Sequence, residues 1–440
     1  MIRSLDISFQ RWGTWILLGL GLLVRIAYAI WAQDLIWEGD AGDYVQEAES
    51  VLRGTNFQLY WPPGLPHLLA LGMAIFGGNP SGAILSMLAM YMLLHVSLNR
   101  VLDGQAPAFL KWTILAILAF QPSWIHHSVA PLTQLPVALC LVVVWKSWRG
   151  ICKMRSGLWR PWMWAGIALG MAALIRPACL ALIPIWLFGT LGWMIAQRNV
   201  HWKLWAFSLL IAFTLIGTWE LRAHALSGRW VLINDANAYN LFIGNHAETP
   251  PYRTWWLGSH DERSNPQFAN YYSERDSIEA LPADMQAQAW SEAAWKHIRS
   301  DWWRFGIRTA SRLRTFWGFD TYVAGQWMSR ASILGVIILL GDAICYICAM
   351  CWAMGEAADR SSWTVARLGL LGLIAVYAAP YALAFSHPTY HLALMPLIWI
   401  WGARMPDSWG KMWKNPWVIL AWGLFLAIQL EWARDLLLRP

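Results

Sequence analysis

Apolar residues gather in runs of about 20, separated by short polar segments. A helix of that length rises roughly 30 Å and spans the hydrocarbon of a bilayer. The pattern predicts eleven such helices, at about 13–33, 81–98, 108–124, 131–147, 161–175, 178–196, 203–219, 331–353, 363–384, 389–404 and 415–433. One further apolar segment, GLPHLLALGMAIFGG at 64–78, is shorter and suits an interfacial or re-entrant helix.

Polar material concentrates in two places, 34–62 and 220–330. In the first, Ala41, Val45, Ala48 and Leu52 follow helical spacing, with Asp40, Asp43 and Glu47 along an adjoining edge. This reads as an amphipathic helix on the membrane surface. Gly54 can end it, and Pro62, Pro63 and Pro66 forbid regular helix across the return. Asp40 stands where an N-cap belongs, with Asp43 three residues on in capping-box style. A capping side chain can also face a cavity. Asp43 and Glu47 otherwise read as solvated edge residues, and Tyr60 and Trp61 as interfacial aromatics.

Composition agrees with the spans. The chain has 440 residues, 58% hydrophobic and 13% charged, where soluble domains carry about 25% charge. The net charge of +7 is scattered over loops, so no basic patch invites nucleic acid. Charge also sets the parity. If 64–78 does not cross, three loops share one side, carrying Arg100, Lys146, Arg149, Lys153, Arg155, Arg160, Arg198 and Lys203. That is the cytoplasmic side, which places 34–62 and 220–330 together on the periplasmic one. Arg25 interrupts the first apolar run, which therefore reads as an uncleaved span. The six cysteines form no disulfide framework, and Cys345, Cys348 and Cys351 lie within an apolar run.

Asp40, Tyr44, Ala48, Val51 or Leu52, and Gly54, followed by Pro62-Pro63-Gly64-Leu65-Pro66, carry a resemblance. The segment resembles the first periplasmic loop of the C-type (GT-C) membrane glycosyltransferases, in particular bacterial relatives of protein O-mannosyltransferase and of the lipid A aminoarabinose transferase. Residues 165–177, 218–246 and 389–396 resemble three later motifs of that family, in order. Two positions depart from it: Gln134 stands where the family usually carries an acid, and Thr389-Tyr390 where it has Arg-Tyr.

The resemblance implies an all-α polytopic GT-C fold with about eleven spans, periplasmic juxtamembrane helices and a mixed periplasmic region. Residues 1–219 would form the transferase module with a catalytic loop at 34–80, residues 220–330 the periplasmic region, and 331–440 the C-terminal spans. It implies an inverting transferase of the bacterial inner membrane. A sugar would move from a polyprenyl-phosphate donor to a hydroxyl of a lipid, glycan or protein acceptor, with Asp40 as general base. Substrate contacts would come from Asp43, Tyr44, Tyr60, Arg222, Asn245, His387, Tyr390 and His391. No cofactor is assigned, and a divalent metal stays open.

Other groups have plain readings beside these. Arg25, deep in a span, must face the bundle interior, in an ion pair or at a ligand. Arg176 reads as a snorkelling end residue. Arg304, Arg308 and Arg312 form a basic stripe suited to anionic membrane lipid or to steering a donor. Asn237, Asn240 and Asn245 suit turns or sugar hydroxyls. His126 and His127 suggest metal only if they meet Asp40. A transporter of lipid-linked sugars would place more polar groups at mid-membrane, where Asp342 is the clearest acid. A saccharide polymerase or ligase would lack the early acidic helix and its Pro-Pro-Gly.

Overall fold

The computed structural model describes residues 2–55, 59–153, 158–198, 201–357, 363–403 and 413–438, with side chains from residue 12 onward. Arg155 and residue 404, the end of one expected span, lie outside the described residues. Every regular element among the described residues is helical. Among the described residues, eight helices are long and apolar enough to cross a bilayer: Trp12–Trp31, Ser81–Leu102, Gln134–Lys153, Pro177–Ala196, Trp202–Ser227, Ser332–Ala357, Val365–Leu383 and Pro416–Leu437.

The other three expected spans are shorter, each for a local reason. Pro122 splits the 108–124 run into Ala108–Phe120 and Pro122–His127, because proline has no amide hydrogen to continue the ladder. Trp159–Ile175 has 17 residues, at the lower bound of about 17–25 for a crossing. The 389–404 run opens as a 3-10 turn, Pro388–Leu394, and continues as Met395–Gly402, which is buried on every side. Gly64–Ile75 has only 12 residues. It folds back on Ser81–Leu102, and Ser86 Oγ donates to Leu68 O at 2.7 Å.

Close backbone contact ties this short helix to the bundle. A Cβ on Gly64 would stand 2.7 Å from Ile175 N and from the Leu174 carbonyl carbon. Glycine therefore lets the turn after Pro62-Pro63 touch the last turn of Trp159–Ile175, next to Arg176.

Arg367 and Glu356 form a buried ion pair at 2.9 Å, but several other buried charges are answered by helix ends. The last carbonyls of a helix have no partner of their own. Arg25 donates to Leu118 O and Ala119 O, both at 2.8 Å, and so caps Ala108–Phe120. It also donates to Gly21 O at 3.0 Å and to Ser128 Oγ, with Tyr91 stacked 3.6 Å away. Neither an ion pair nor a ligand accounts for it. Arg312 donates to Ala382 O at 2.7 Å and Ala384 O at 3.1 Å, where Val365–Leu383 ends, and to Gly244 O at 2.7 Å. Arg308 donates to Asn245 O, Ala247 O and Thr249 O. The stripe expected to meet membrane lipid thus turns inward at Arg308 and Arg312, which are buried, while Arg304 stays exposed. Asp342 serves the opposite kind of helix end. It accepts from Ser123 N at 3.2 Å and Ser123 Oγ at 2.6 Å, in the first turn of Pro122–His127.

Gly64→Ala is expected to lower stability by about 1–3 kcal/mol, since the added methyl overpacks against backbone that cannot move aside. Gly192→Ala, whose Cβ would meet nothing within 4 Å, should leave the melting temperature unchanged or raise it. Thermal melting of the detergent-solubilised protein compares the two.

Candidate active site

The helix Asp40–Arg53 starts after Gly39, whose φ of 60° and ψ of −136° fall where residues with a Cβ are disfavoured. Gly39 O accepts from Gly42 N at 3.0 Å, and no side chain caps this end. Asp40 is thus the first helical residue rather than the cap. Gly54 closes the helix in the left-handed conformation, with its N–H on Ser50 O.

Asp40 opens into a cavity of about 450 Å³ at the end of the bundle where the 34–62 and 220–330 segments meet. Tyr44 lies one turn on from Asp40, and Tyr60 and Trp61 come from the return. Arg176 projects from the end of Trp159–Ile175, and His387, Thr389 and Tyr390 come from the 3-10 turn. Asn237 and Asn240 of Ala236–Asn245 close one side, with Thr133 and Gln134 behind. Among these lining residues Asp40 is the one carboxylate, and Arg176 is the one arginine or lysine.

Asp40 reaches water through the mouth of the cavity, yet protein crowds it on its other sides. That burial pushes its carboxyl pKa up, and the Asp43 charge pushes the same way. Arg176 and a backbone amide oppose them. Arg176 rests among phenols. Its Nη1 donates to Tyr377 Oη at 3.2 Å, and its guanidinium stands 4.6 Å from the Tyr390 ring centroid and 5.8 Å from that of Tyr381. Neither the hydroxyl nor the rings neutralise its charge.

His387 is tethered from behind. Its Nδ1 lies 2.7 Å from Thr389 Oγ1, which lies 3.1 Å from Asp320 Oδ1. Burial raises the Asp320 carboxyl to about 6. A mostly apolar groove of about 360 Å³ leads off the cavity, between Pro177–Ala181 and the end of Val365–Leu383. Tyr381, Phe385 and Tyr390 line both spaces.

Of the residues expected at the site, Asp40, Tyr44, Tyr60, His387 and Tyr390 share this cavity, and four others do not line it. Asp43 is exposed one turn away and acts on Asp40 only through its charge. Arg222 is exposed on the Trp202–Ser227 helix. Asn245 is buried, donating to Leu241 O and Leu383 O and accepting from Arg312. His391 is buried behind the wall, with Nδ1 2.8 Å from Phe316 O and Tyr346 ring-to-ring at 4.3 Å. The latter two bond to helix ends outside the cavity lining. Arg176, Thr389 and Tyr322 line the cavity although none was expected there. Only the Arg-Pro at 176–177, closing a glycine-rich span, hinted at the first.

His126 and His127 are buried and do not group with Asp40. His126 Nδ1 lies 2.9 Å from Tyr28 Oη, and His127 stacks on Tyr322. Among the described residues the one group close enough to hold a metal is His246, Glu274 and His297, none of which lines the cavity. His246 Nδ1 accepts from Glu248 N at 3.1 Å. Its proton therefore sits on Nε2, 3.1 Å from Glu274, where a metal would need the lone pair. Hydrogen bonding accounts for this trio.

No protein-family model matches the chain, and no curated protein matches it in sequence. Among solved structures it is similar to the archaeal oligosaccharyltransferase AglB from Archaeoglobus fulgidus, solved in complex with an inhibitory peptide and a dolichol-phosphate. Sequence identity is 11% and the TM-score 0.44, over 96% of this chain and 55% of that one. The chain thus spans about half the length of that protein, and a likeness at this level carries no argument about residues or activity.

Proposed function

We propose that the protein is an inverting membrane glycosyltransferase of the GT-C type, using a polyprenyl-phosphate sugar as donor and working at the periplasmic face of the bacterial inner membrane. One observation carries this reading: a lone carboxylate and a lone guanidinium face one cavity that continues into an apolar groove. The groove suits the prenyl chain, Arg176 the phosphate, and Asp40 the acceptor hydroxyl.

In the step that follows, Asp40 takes the hydroxyl proton as the acceptor oxygen attacks the anomeric carbon. The bond from that carbon to the phosphate oxygen breaks on the opposite face, and its electron pair leaves with the phosphate. The anomeric configuration inverts. Polyprenyl phosphate gains a negative charge as it leaves, and a fixed cation stabilises charge that develops in the transition state. His387, steadied through Thr389, lines the same space and supplies a further donor for the phosphate. A divalent ion is held by oxygen ligands, among them one or two carboxylates and, for magnesium, substrate phosphates. Asp40 is the one carboxylate of the lining and is assigned to the acceptor proton, so no step is routed through a metal.

Asp40→Asn is expected to lower transfer by about 10²–10⁴, the contribution of a positioned base. Arg176→Gln should lower it by about 10²–10³, like loss of a transition-state donor. The assay follows release of polyprenyl phosphate from a polyprenyl-phosphate sugar by the purified chain. Ordinary turnover by Asp40→Asn removes Asp40 from the reaction.

Asp40 accepts a proton only when ionised, and its pKa is raised. Activity should therefore fall on the acid side at a pH above about 3.9, the value for a free Asp. Asp43→Asn removes one raising charge, so it should keep most activity at pH 7 and move that acid limb to lower pH. A limb that stays put in Asp43→Asn contradicts the electrostatic account.

A further inference from the structure

A larger chamber, about 900 Å³, adjoins the first. Tyr60 and Tyr239 line both, so the two spaces meet across a pair of phenols. Apart from Leu59, the rest of its wall comes from the 220–330 segment, including Leu226 and Ser227 at the end of Trp202–Ser227. It therefore lies past the last turn of that span, on the same end of the bundle as Asp40.

Its chemistry differs from that of the first cavity. Two arginines, Arg229 and Arg275, face three carboxylates, Asp235, Glu279 and Asp284. Both guanidiniums are already matched: Arg229 Nη2 is 2.7 Å from Asp235 Oδ2, and Arg275 Nε is 2.7 Å from Glu279 Oε1. No spare positive charge remains for a phosphate or a uronate. The chamber instead offers planar donors and acceptors beside aromatic surface. Tyr239 meets Trp290 edge-on at 5.0 Å, and Arg275 lies 5.8 Å from the Tyr239 centroid. Neutral sugars present vicinal hydroxyls that both donate and accept, and a C–H face that rests on aromatic rings. Such a wall of paired charges and phenols complements them. The volume sits at the top of the usual range for ligand pockets, about 300–1,000 Å³, which suits more than one ring.

We infer that this chamber binds a neutral saccharide, and that this saccharide is the acceptor whose hydroxyl reaches Asp40 past Tyr60 and Tyr239. The acceptor role rests on the transfer reading above, whereas the binding stands without it. The acceptor is a glycan presented from the aqueous side, not an anionic lipid headgroup or a peptide.

The test uses the purified full chain in detergent on an array of neutral oligosaccharides, anionic glycans and peptides. Wild type is expected to bind a subset of the neutral oligosaccharides. Ala287→Trp fills the chamber from the Ala283–Ser300 helix and should weaken that binding at least tenfold, while Asp40→Asn should keep it. Ala283→Trp, one turn earlier in the same wall, is the second blocker should Ala287→Trp melt early. Binding of anionic glycans or peptides alone, binding of nothing, or full neutral-glycan binding by a folded blocker overturns the inference. Turnover by Asp40→Asn with saccharide binding intact would sink the transfer reading and leave the site standing.

Discussion

A helix that ends inside an apolar bundle leaves carbonyls that water cannot reach, and each such group costs several kcal/mol unless it finds a donor. This protein needs many helix ends near one place, because a cavity at the membrane edge is made by stopping helices short. Arg25, Arg308 and Arg312 are the means. Each spreads its guanidinium over two or more orphaned carbonyls. A charge at mid-bilayer costs at least about 2.5–3.5 kcal/mol by itself. For Arg25, which alone of the three lies in a membrane-spanning helix, that cost and the cost of open helix ends offset one another. The break at Pro122, the end of Val365–Leu383 and the turn after Asn245 are all stabilised in this way.

The site inherits its geometry from those breaks. Arg176 projects into the cavity because Trp159–Ile175 stops before Pro177. Gly64 then brings the return from the acidic helix against the same stopping point. Gly39 completes the arrangement from the other side, turning the chain so that Asp40 opens a helix without capping it. Three backbone devices, a proline and two glycines, thus set how the carboxylate and the guanidinium share one cavity.

Much of this was legible in the sequence, and the rest was hidden for physical reasons. Hydropathy registers length and depth, so the long spans and the short Gly64–Ile75 helix emerge from it directly. It does not register direction around a helix axis. Arg308 and Arg312 therefore look like a basic stripe for anionic lipid or a donor although they point inward, and Arg176 looks like an end residue although it faces a cavity. Asp40 resembles a cap because capping statistics cannot see that Gly39 does that work through a left-handed backbone. Asn245 and His391 look like ligands because amides and imidazoles serve helix ends as readily as they serve sugars. Asp40, Tyr44, Tyr60, His387 and Tyr390, by contrast, meet where the motif resemblance groups them.

The tyrosine bed of Arg176 carries a consequence for the catalytic cycle. A cation held by phenol rings and one hydroxyl needs no rearrangement as the sugar departs, so it favours bond breaking at little cost in reorganisation. The same fixed charge grips a dianionic lipid monoester more firmly than the monoanionic diester it came from. On the transfer reading, then, the spent carrier is the tightest-held species in the cycle. On that same reading, turnover would be paced by how fast the greasy tail slides back out between Pro177–Ala181 and Val365–Leu383, and accumulated carrier would act as a brake on its own production.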